Sequence, residues 1–471
     1  QQQQQEQEQQ EQQEQEDSLF TRVDVRAPVR FSHTNTVSTP QLTSPVQGEC
    51  SPSKVGSLDI NSNKILGFGS CGTIVYEGQF QGRKVAVKRM MRDFLSLAEV
   101  EIKAFLHADD SPYIVKYYAK EEDKHFVYLA LSYCNMTLAD LIEQAASDDA
   151  CHKFLQDHER SILLNASMGV AHLHQLLIVH RDIKPQNVLI DGQGRARISD
   201  MGLAKKLDTD QHSFSSHSPG TLGWRAPEQQ RGDRQTTAVD IFSLGCVFFF
   251  VLTRGDHPFG SRLERESNIH KGKVRLDALK QKPEAHHLVM AMVAHNPAER
   301  LSAVEVVHHP YFWDSQKRLS FLRDISDRVE SEKPSAPLVT ALESCAPFVL
   351  GLAPVTPDDQ AGAHTHITAG WMAAVDPALI DNLGRYRKYN GRSVRDLLRV
   401  IRNKAHHYRD LPAPLQARLG HLPEGFLAYF VSRFPALLVA VYQFMRAHCA
   451  DEPPFNRLYV PEGRPPPPPN G

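Results

Sequence analysis

Two short segments carry the side chains best suited to chemistry on phosphate groups. In HRDIKPQN, Asp182 can accept a hydroxyl proton, Lys184 can neutralise a moving phosphoryl group and Asn187 can hold a metal ion. The second segment, RNKAHHY at 402–408, holds guanidinium, amide and imidazole groups within seven positions. Arginine binds phosphate well and histidine titrates near neutral pH, so this segment suits acid–base work on a polyanion.

Upstream of the first segment, the chain has the residues needed to hold a nucleoside triphosphate. GFGSCGTIV at 67–75 fits a glycine-rich turn between two strands, and its backbone amides can approach phosphates closely. VAVK ends in Lys88, and the helical pattern LAEVEIKAF offers Glu101 as its partner, with Glu99 as the rival. Asp200 in SDMG is placed to bridge Mg²⁺ to the phosphates.

With APE at 226–228 and Asp240, these motifs resemble those of the protein kinase family, in the family's order. The resemblance covers about residues 60–312 and implies an α+β bilobal protein kinase fold that uses ATP or ADP with Mg²⁺, held by Asn187 and Asp200. The nucleotide-binding residues that it implies are Leu66, Gly67, Gly69, Gly72, Val75, Ala86, Lys88, Glu101, Ser132, Cys134, Asn187 and Asp200. Lys184 and Thr221 resemble serine/threonine kinases, whereas Met201 stands where the family usually has phenylalanine.

The segment HSFSSHS at 212–218 lies between Asp200 and Ala226, where kinases carry a phosphorylated activation loop. The candidate phosphorylation sites are Ser213, Ser215, Ser216 and Ser218. Arg181, next to the catalytic aspartate, could pair with an added phosphate. The alternative is a loop that is merely polar.

The second segment belongs to a stretch, 393–408, with the period of an amphipathic helix. Its apolar positions, predicted to be buried, are Val394, Leu397, Leu398, Ile401, Ala405 and Tyr408. The adjacent stripe consists of Arg395, Arg399, Arg402 and His406. Asn403 and His407 point away from the apolar face, and over 381–411 nine Arg and Lys oppose three Asp. The pattern predicts an electropositive patch that presents an imidazole.

Such a patch suits cleavage of RNA, because the 2′-hydroxyl of RNA can attack the adjacent phosphate without a metal. The reaction needs a base, an acid and cations around the phosphorus. Tyr386 and Tyr389 lie just upstream among Arg and Lys, which would favour a phenolate base. From the residues alone, a solvated or partner-docking basic helix remains the alternative.

The segments SDRVE, YNGRSVRDLLRVIRNKAHHYRDLP and LPEGFLAYFVSRFPALL, with the kinase motifs ahead of them, resemble the inositol-requiring kinase/endoribonucleases, the unfolded-protein-response sensors of the endoplasmic reticulum. The resemblance covers about 60–455 and implies an all-α ribonuclease (kinase-extension nuclease) domain after the kinase. It implies Tyr389 as general base and His407 as general acid. It also implies Arg402 and Asn403 as phosphate and ribose contacts, without a cofactor or metal at the ribonuclease site.

The same resemblance implies partners and regulation. A back-to-back homodimer, which can extend to higher oligomers, would use the charged positions Arg83, Asp109 and Lys116 and would be favoured by nucleotide and loop phosphorylation. The expected substrate is a stem-loop mRNA encoding a stress transcription factor, and not DNA. Family members carry a lumenal domain and a membrane span, so we expect this chain to be the cytosolic portion, at the endoplasmic reticulum membrane only through a segment that this sequence lacks.

Composition sets the expected domain organisation. We expect a Gln/Glu-rich and Ser/Pro-rich linker at 1–58, a kinase domain at 59–313, a helical endoribonuclease domain at 314–458 and a Pro-rich tail at 459–471. Seven scattered cysteines without a C-x-x-C pair predict neither a disulfide framework nor a zinc site. The apolar run IFSLGCVFFFVL at 241–252 is too short for a bilayer and predicts a buried helix.

Two other functions compete with a bifunctional kinase–ribonuclease. One is a latent ribonuclease whose kinase fold is only a scaffold, but that family has ankyrin repeats and degraded kinase motifs, unlike this sequence. The other is a signalling kinase whose C-terminal domain is a dimerisation or partner-binding module. Substitution of the proposed acid and of the proposed phosphotransfer aspartate separates these three functions.

Overall fold

A computed structural model gives the fold of most of the chain. The described residues are 53–69, 72–207, 213–215, 220–351, 370–384, 388–453 and 455–459. They belong to two compact units: unit 1 is formed by the described residues up to 225 with 232–240, and unit 2 by 226–231 with the described residues from 241 onward.

A six-stranded antiparallel sheet, in the order β1-β2-β3-β4-β6-β5, dominates the first part of unit 1. Its strands are β1 Ser53–Val55, β2 Leu58–Phe68, β3 Ile74–Phe80, β4 Arg83–Met91, β5 Tyr117–Glu122 and β6 Phe126–Ser132. The alternating segments KVAVKRM and HFVYLALSY lie in β4 and β6, which confirms both strand predictions. Val85 and Val87 are fully buried, and since strand residues alternate between faces, Ala86 and Lys88 share the opposite face.

The helices of unit 1 are α1 Leu95–His107, α2 Leu138–Gln144 and α3 Asp149–Gln175. The predicted helix SILLNASMGVAHLHQL lies almost entirely within α3, which starts where the Asp148 carboxylate accepts hydrogen bonds from the first backbone amides. Short strands follow as antiparallel pairs or triplets: β7 Met136–Thr137, β8 Ile178–Val179, β9 Val188–Ile190, β10 Ala196–Ile198, β11 Lys205–Lys206, β12 Phe214–Ser215 and β13 Arg234–Gln235. The HRDIKPQN segment at 180–187 lies between β8 and β9 in the chain.

Helices make up the regular structure of unit 2 in the described residues. The first ones are α4 Pro227–Arg231, α5 Ala238–Leu252, which begins in unit 1, α6 Arg265–His270, α7 Pro283–Met292 and α8 Ala303–Val307. The predicted apolar helix is α5, whose Phe242, Cys246 and Phe248 are fully buried. Among the described helices, none has the length and apolar character needed to cross a membrane.

The second part of unit 2 is a helical bundle. Its helices are α9 Ser315–Glu330, α10 Pro337–Glu343, α11 Ala346–Leu350, α12 Trp371–Ala374, α13 Pro377–Gly384, α14 Val394–His406, α15 Ala413–Leu419, α16 Glu424–Val431, α17 Leu437–His448 and α18 Asn456–Tyr459. The apolar face of α14 enters the shared core: Val394, Leu397, Leu398 and Ile401 are 0% exposed and Ala405 is 8% exposed. The predicted burial is confirmed for these five, whereas Tyr408 follows the helix and is half-buried.

Candidate functional site

The first polar cluster, in unit 1, is built around Lys88. Its ammonium group donates to both carboxylate oxygens of Glu101 at 2.8 Å and to Oδ1 of Asp200 at 2.7 Å. β4 holds Lys88 on the face opposite to the buried valines, and α1 presents Glu101, which is fully buried. The rival Glu99 is exposed. The structure therefore brings together the three residues that the sequence assigned to phosphate and metal binding.

The charges in this cluster stabilise one another. Burial alone would lower the pKa of Lys88, but the carboxylates of Glu101 and Asp200 outweigh burial and raise it above its usual value. Burial raises the pKa of Glu101, which has no solvent exposure. Burial would also raise the pKa of Asp200, but the Lys88 ammonium outweighs it and lowers that pKa. Lys88 thus remains a cation and Asp200 an anion near neutral pH.

Asp182 forms a hydrogen-bonded network with its neighbours in the HRDIKPQN loop. Its Oδ1 accepts from the backbone amide of Thr221 at 2.9 Å and from the Thr221 hydroxyl at 2.8 Å. Its Oδ2 accepts from the Lys184 ammonium at 2.7 Å, and its backbone carbonyl accepts from the Asn187 side-chain amide at 2.8 Å. A carboxylate oriented in this way can receive a proton from a hydroxyl that lies beside Lys184.

Asp240 fixes the backbone ahead of this loop. Its buried carboxylate accepts hydrogen bonds from the backbone amides of His180 at 2.8 Å and Arg181 at 2.7 Å, and from His174 Nε2 at 2.9 Å. Burial would raise the pKa of Asp240, but these bonds and the nearby imidazoles lower it. Arg181 has a φ of 72°, which is uncommon for a residue with a Cβ, so the anchor holds the backbone in a strained conformation.

Asn187 and Asp200 fit the predicted magnesium ion. The Asn187 side-chain nitrogen is directed to Asp182, which leaves its carbonyl oxygen as the atom that can face a cation. The Asp200 carboxylate is ionised, and Mg²⁺ prefers such oxygen ligands. The neighbouring Met201 is fully buried, so this apolar side chain fills the interior position expected of the usual phenylalanine.

The predicted nucleotide-binding residues line one part of the sheet. Val75 in β3 pairs with both Gly67 in β2 and Lys88 in β4. The amide of Gly69 donates to the carbonyl of Thr73 at 2.8 Å, which closes the glycine-rich turn; residues 70 and 71 lie outside the described residues. The remaining members of the predicted set are Leu66, Ala86, Ser132 and Cys134, which are half-buried, and Gly72, which is exposed.

The activation segment is described only in part. Ser213 accepts a hydrogen bond from the Arg234 guanidinium, and β12 pairs with β13. Arg181, the predicted phosphate partner, instead donates to the carbonyl of Leu203 at 3.4 Å. The backbone of Ser215 is in β12, whereas the predicted sites Ser216 and Ser218 lie outside the described residues.

The predicted dimer-face residues Arg83, Asp109 and Lys116 are all exposed. The guanidinium carbon of Arg83 lies 5.0 Å from the centre of the Tyr118 ring, a geometry typical of a cation–π contact. Exposure leaves the three side chains accessible to a second molecule.

The second polar cluster, in unit 2, depends on how α14 begins. The Ser393 side chain accepts from the amide of Asp396 at 3.0 Å, as helix-capping serines do. Glu343, at the end of α10, accepts from the Ser393 hydroxyl and from the backbone amide of Val394 at 2.8 Å. A carboxylate at a helix N-terminus also interacts favourably with the helix dipole. These bonds fix the start of the helix that carries Arg402 and Asn403.

The C-terminal end of α14 brings the proposed ribonuclease residues together. Arg402 Nε donates to Asn403 Oδ1 at 3.1 Å, and the Asn403 amide nitrogen lies 3.5 Å from the Tyr389 hydroxyl. The amide of His407 donates to the carbonyl of Asn403 at 3.0 Å. The His407 side chain is 64% exposed, with Nδ1 at 3.2 Å from Asp410 Oδ2. Phenol, amide and guanidinium are thus in contact, with an accessible imidazole one turn further on; Tyr386 lies outside the described residues.

The predicted arginine stripe needs a correction. Arg395 is 8% exposed, and its guanidinium donates to the carbonyls of Glu330, the last residue of α9, at 2.9 Å and of Glu332 at 2.7 Å. Arg399 is 6% exposed and pairs with Glu330 at 2.8 Å and with Asp396. These two arginines hold α9 and α14 together and do not form a surface for a polyanion, because buried charges require partners.

Several residues around the cluster were absent from the sequence-based assignment. Asp327 and Glu330, in SDRVE, are three positions apart and therefore lie on one face of α9, which was the available signal. Lys404 is buried and donates to Asn382 Oδ1, and burial lowers its pKa. Nothing in the basic pattern of α14 distinguishes this lysine from an exposed one.

Two protein families match consecutive parts of this chain. The protein kinase domain family matches residues 60–312, and the family described as Ribonuclease 2-5A matches residues 318–459. A serine/threonine-protein kinase/endoribonuclease IRE1 from Oryza sativa subsp. japonica is 42% identical over 86% of this chain and 45% of its own length. The human serine/threonine-protein kinase/endoribonuclease IRE2 is 41% identical over 87% of this chain and 43% of its own length. The chain belongs to this kinase/endoribonuclease family.

A third relative, named a sensor for unfolded proteins in the ER, comes from Schizosaccharomyces pombe and is 39% identical over 85% of this chain. The chain spans less than half the length of each of these three relatives. The family membership and the observed elements confirm the predicted fold class, a kinase domain with a β-sheet and helices followed by a helical nuclease region.

Proposed function

We propose that the chain is a bifunctional enzyme, a serine/threonine protein kinase that uses Mg²⁺ and ATP and an endoribonuclease that cuts RNA by 2′-hydroxyl transesterification. The observation that carries the proposal is the contact of Tyr389, Asn403 and Arg402 beside an exposed His407, in a chain that also keeps the complete Lys88 cluster. A scaffold kinase would have no need for that cluster.

For phosphoryl transfer, Lys88 would bind phosphate oxygens while Glu101 holds its ammonium group in place. Asn187 and Asp200 would hold Mg²⁺, which neutralises the charge of the phosphates. Asp182 would accept the proton of the serine or threonine hydroxyl as that oxygen bonds to the γ-phosphorus of ATP and the bond from this phosphorus to the departing ADP breaks. Lys184, 2.7 Å from Asp182, would stabilise the negative charge on the transferred group.

For RNA cleavage, Tyr389 would accept the proton of the 2′-hydroxyl while that oxygen bonds to phosphorus. His407 would donate a proton to the 5′-oxygen as the phosphorus–oxygen bond breaks, so the products are a 2′,3′-cyclic phosphate and a 5′-hydroxyl. Arg402 and Asn403 would bind the phosphate and the ribose. The exposure of His407 suits this role, because RNA is too large to enter an interior site.

The relatives named as endoribonucleases and as a sensor for unfolded proteins support a wider role. In this role, loop phosphorylation at Ser213, Ser215, Ser216 and Ser218 and nucleotide binding favour a back-to-back homodimer. The exposed charges of Arg83, Asp109 and Lys116 would contribute to the dimer face. The substrate would be a stem-loop mRNA for a stress transcription factor, cut on the cytosolic side of the endoplasmic reticulum.

The two activities can be tested separately on the whole chain. The protein is first incubated with Mg²⁺ and radiolabelled ATP, then treated with EDTA and given a hairpin RNA. We expect the wild type to label itself and to leave cyclic phosphate ends on the RNA. His407→Ala should label itself but not cleave, and Asp182→Ala should not label itself.

Other outcomes would favour the competing functions. If His407→Ala still cleaves RNA, His407 is not the general acid. If Asp182→Ala still labels itself, Asp182 is not the base for phosphoryl transfer. Self-labelling of a wild type that leaves every hairpin RNA intact would favour a signalling kinase with a C-terminal interaction module. Cleavage without self-labelling would favour a scaffold kinase.

A further inference from the structure

Arg402, the proposed phosphate ligand, already has an acceptor on each of its three nitrogens. Nε donates to Asn403 Oδ1 at 3.1 Å, and Nη1 donates to Asp327 Oδ1 at 2.9 Å. Nη2 lies 3.3 Å from Glu330 Oε2. An RNA phosphate that approaches Arg402 therefore meets a guanidinium group that two carboxylates have already paired.

The two carboxylates differ in how firmly they are held. Glu330 bridges two arginines, because the same oxygen that faces Arg402 also accepts from Nε of Arg399 at 2.8 Å. Its side chain is 35% exposed, and that of Arg399 is 7% exposed. The Asp327 side chain is 66% exposed and pairs with Arg402 at one nitrogen. Glu330 is thus part of the packed contact between α9 and α14, whereas Asp327 lies at its solvent edge.

The carboxylates also change the charge that an RNA would encounter. Two guanidinium groups, of Arg399 and Arg402, face the carboxylates of Asp327, Glu330 and Asp396. The cluster thus has more negative than positive charge, although the sequence of α14 alone suggests a strongly basic surface. A phosphate that binds Arg402 therefore competes with these carboxylates for the guanidinium group.

We propose that Asp327 competes with the RNA phosphate for Arg402, while Glu330 holds Arg402 in the orientation that binds the phosphate; this inference rests on the proposed ribonuclease function. An exposed ion pair contributes little free energy, so Asp327 can rotate into solvent when a phosphate arrives. Glu330 cannot do so without leaving the buried Arg399 short of a partner, which is costly. Asp327 is thus a built-in brake on RNA binding, and Glu330 is a positioning residue.

The brake can be measured by RNA binding alone, without cleavage. The probe is a fluorescently labelled hairpin RNA whose loop nucleotides are 2′-deoxy, so that the attacking hydroxyl is missing. We expect Asp327→Asn to bind this probe about fivefold more tightly than the wild type, as loss of one exposed ion pair allows. The plot of log affinity against log salt should become steeper by up to about 0.7, the value for one further phosphate contact by a cation on a single strand.

Asp324→Asn is the matched control. It removes the same charge from the same helix, one turn before Asp327, and Asp324 is also exposed. Its affinity for the probe should stay within about twofold of the wild type, because Arg402 pairs with Asp327 and Glu330 and not with Asp324. Equal gains in Asp327→Asn and Asp324→Asn would mean that net charge, and not the contact with Arg402, controls binding, and would overturn the proposal.

The role of Glu330 is tested in the opposite direction. Glu330→Gln should lower kcat for the cleavable hairpin by roughly tenfold with a smaller change in KM, because a misdirected Arg402 stabilises the transition state poorly. Asp327→Asn should instead lower KM and leave kcat within about twofold. Unaltered or weaker probe binding by Asp327→Asn would refute the competition. Failure of the wild type to cleave would refute the ribonuclease function, but the binding test of Asp327 would still give an answer.

Discussion

Acidification from pH 7 to pH 5 should destabilise unit 2 through a pair of stacked histidines, of which His309 is buried and His287 is half-buried. Nδ1 of His287, in α7, lies 2.8 Å from Nε2 of His309, and the rings stack near Tyr442 of α17. The backbone amide of Tyr311 donates to Nδ1 of His309 at 3.1 Å, so that nitrogen is an acceptor. The proton of neutral His309 is therefore on Nε2 and is donated to His287 Nδ1. A further proton on either acceptor nitrogen would break one of these bonds.

The electrostatic surroundings oppose protonation as well. Burial, with a contribution from Arg446, lowers the pKa of His287 to about 4. Burial, His287 and Arg446 lower the pKa of His309 well below its usual value. His287 and His309 lie in the segment matched to kinases, and Tyr442 and Arg446 lie in the segment matched to ribonucleases. The neutral pair thus stabilises the packing of these segments within unit 2.

The size of the effect follows from proton linkage. The unfolded chain, with a histidine pKa of about 6.5, takes up protons as the pH falls, while folded His287 does not until the pH approaches 4. The stabilisation is therefore present above the unfolded pKa and is lost on acidification. For His287 alone, the free energy of unfolding should fall by about 2 kcal/mol between pH 7 and pH 5.

The assay is urea unfolding at pH 7, 6 and 5, followed by tryptophan fluorescence. Trp313 and Trp371, two of the three tryptophans in the chain, belong to unit 2, and Trp313 contacts Tyr442. The comparison variant is His287→Asn, which cannot titrate but keeps an acceptor where Nδ1 was. His270→Asn, at an exposed position of unit 2, is the control.

The difference in free energy of unfolding between the wild type and His287→Asn should shrink by about 2 kcal/mol from pH 7 to pH 5. Only the wild type has an imidazole at position 287, and its low pKa in the folded state makes stability depend on pH. The difference between the wild type and His270→Asn should stay constant. If the gap to His287→Asn does not change with pH, the imidazole titrates normally in the folded state, and the reasoning from its burial and tautomer is refuted.

Three further substitutions in unit 2 test how the sites are held, each measured by the same urea unfolding at pH 7. Leu398→Ala, at a fully buried position of α14, should lower the free energy of unfolding by about 3 kcal/mol through loss of buried surface and creation of a cavity. Glu343→Gln should lower it by about 1 to 2 kcal/mol, because the start of α14 loses a charged acceptor, and an unchanged value would show that the cap contributes nothing. Arg300→Met should cost about 3 to 5 kcal/mol, because it leaves the buried carboxylate of Glu228 without its guanidinium partner; a smaller loss would mean that water reaches that carboxylate.

The local sequence was sufficient for the elements and for the kinase cluster. Alternation in KVAVKRM predicts a strand, and the strand places Lys88 on the face opposite to Val85 and Val87. The helical pattern that follows favours Glu101 over Glu99 as the partner of Lys88. In the structure the Lys88 ammonium group pairs with Glu101. These inferences succeed because side-chain direction in a strand or helix has a fixed period along the chain.

Local spacing gives less information about contacts between separate segments, and the same reasoning was incomplete for α14. In the activation segment, the contact of Arg234 with Ser213 depends on a strand pair that local spacing does not show, and the pairing of Arg181 with a loop phosphate stays a prediction. On α14, a helical wheel separates the apolar face from the polar one. It correctly predicted the burial of the apolar positions Val394, Leu397, Leu398, Ile401 and Ala405. It could not show which polar residues another helix would cover.

The sequence by itself determined the order of the motifs, the secondary structure around them and the side chains available for chemistry, since these depend on residue type and local spacing. The tertiary structure decided which of these side chains are paired with another helix and which are exposed to solvent. Arg395 and Arg399 are bound in the contact between α9 and α14. Arg402 pairs with Asp327 and Glu330, and the His407 side chain is exposed to solvent. A charge that is buried must find a partner, and that partner can come from any part of the chain, so spacing within one helix cannot reveal it.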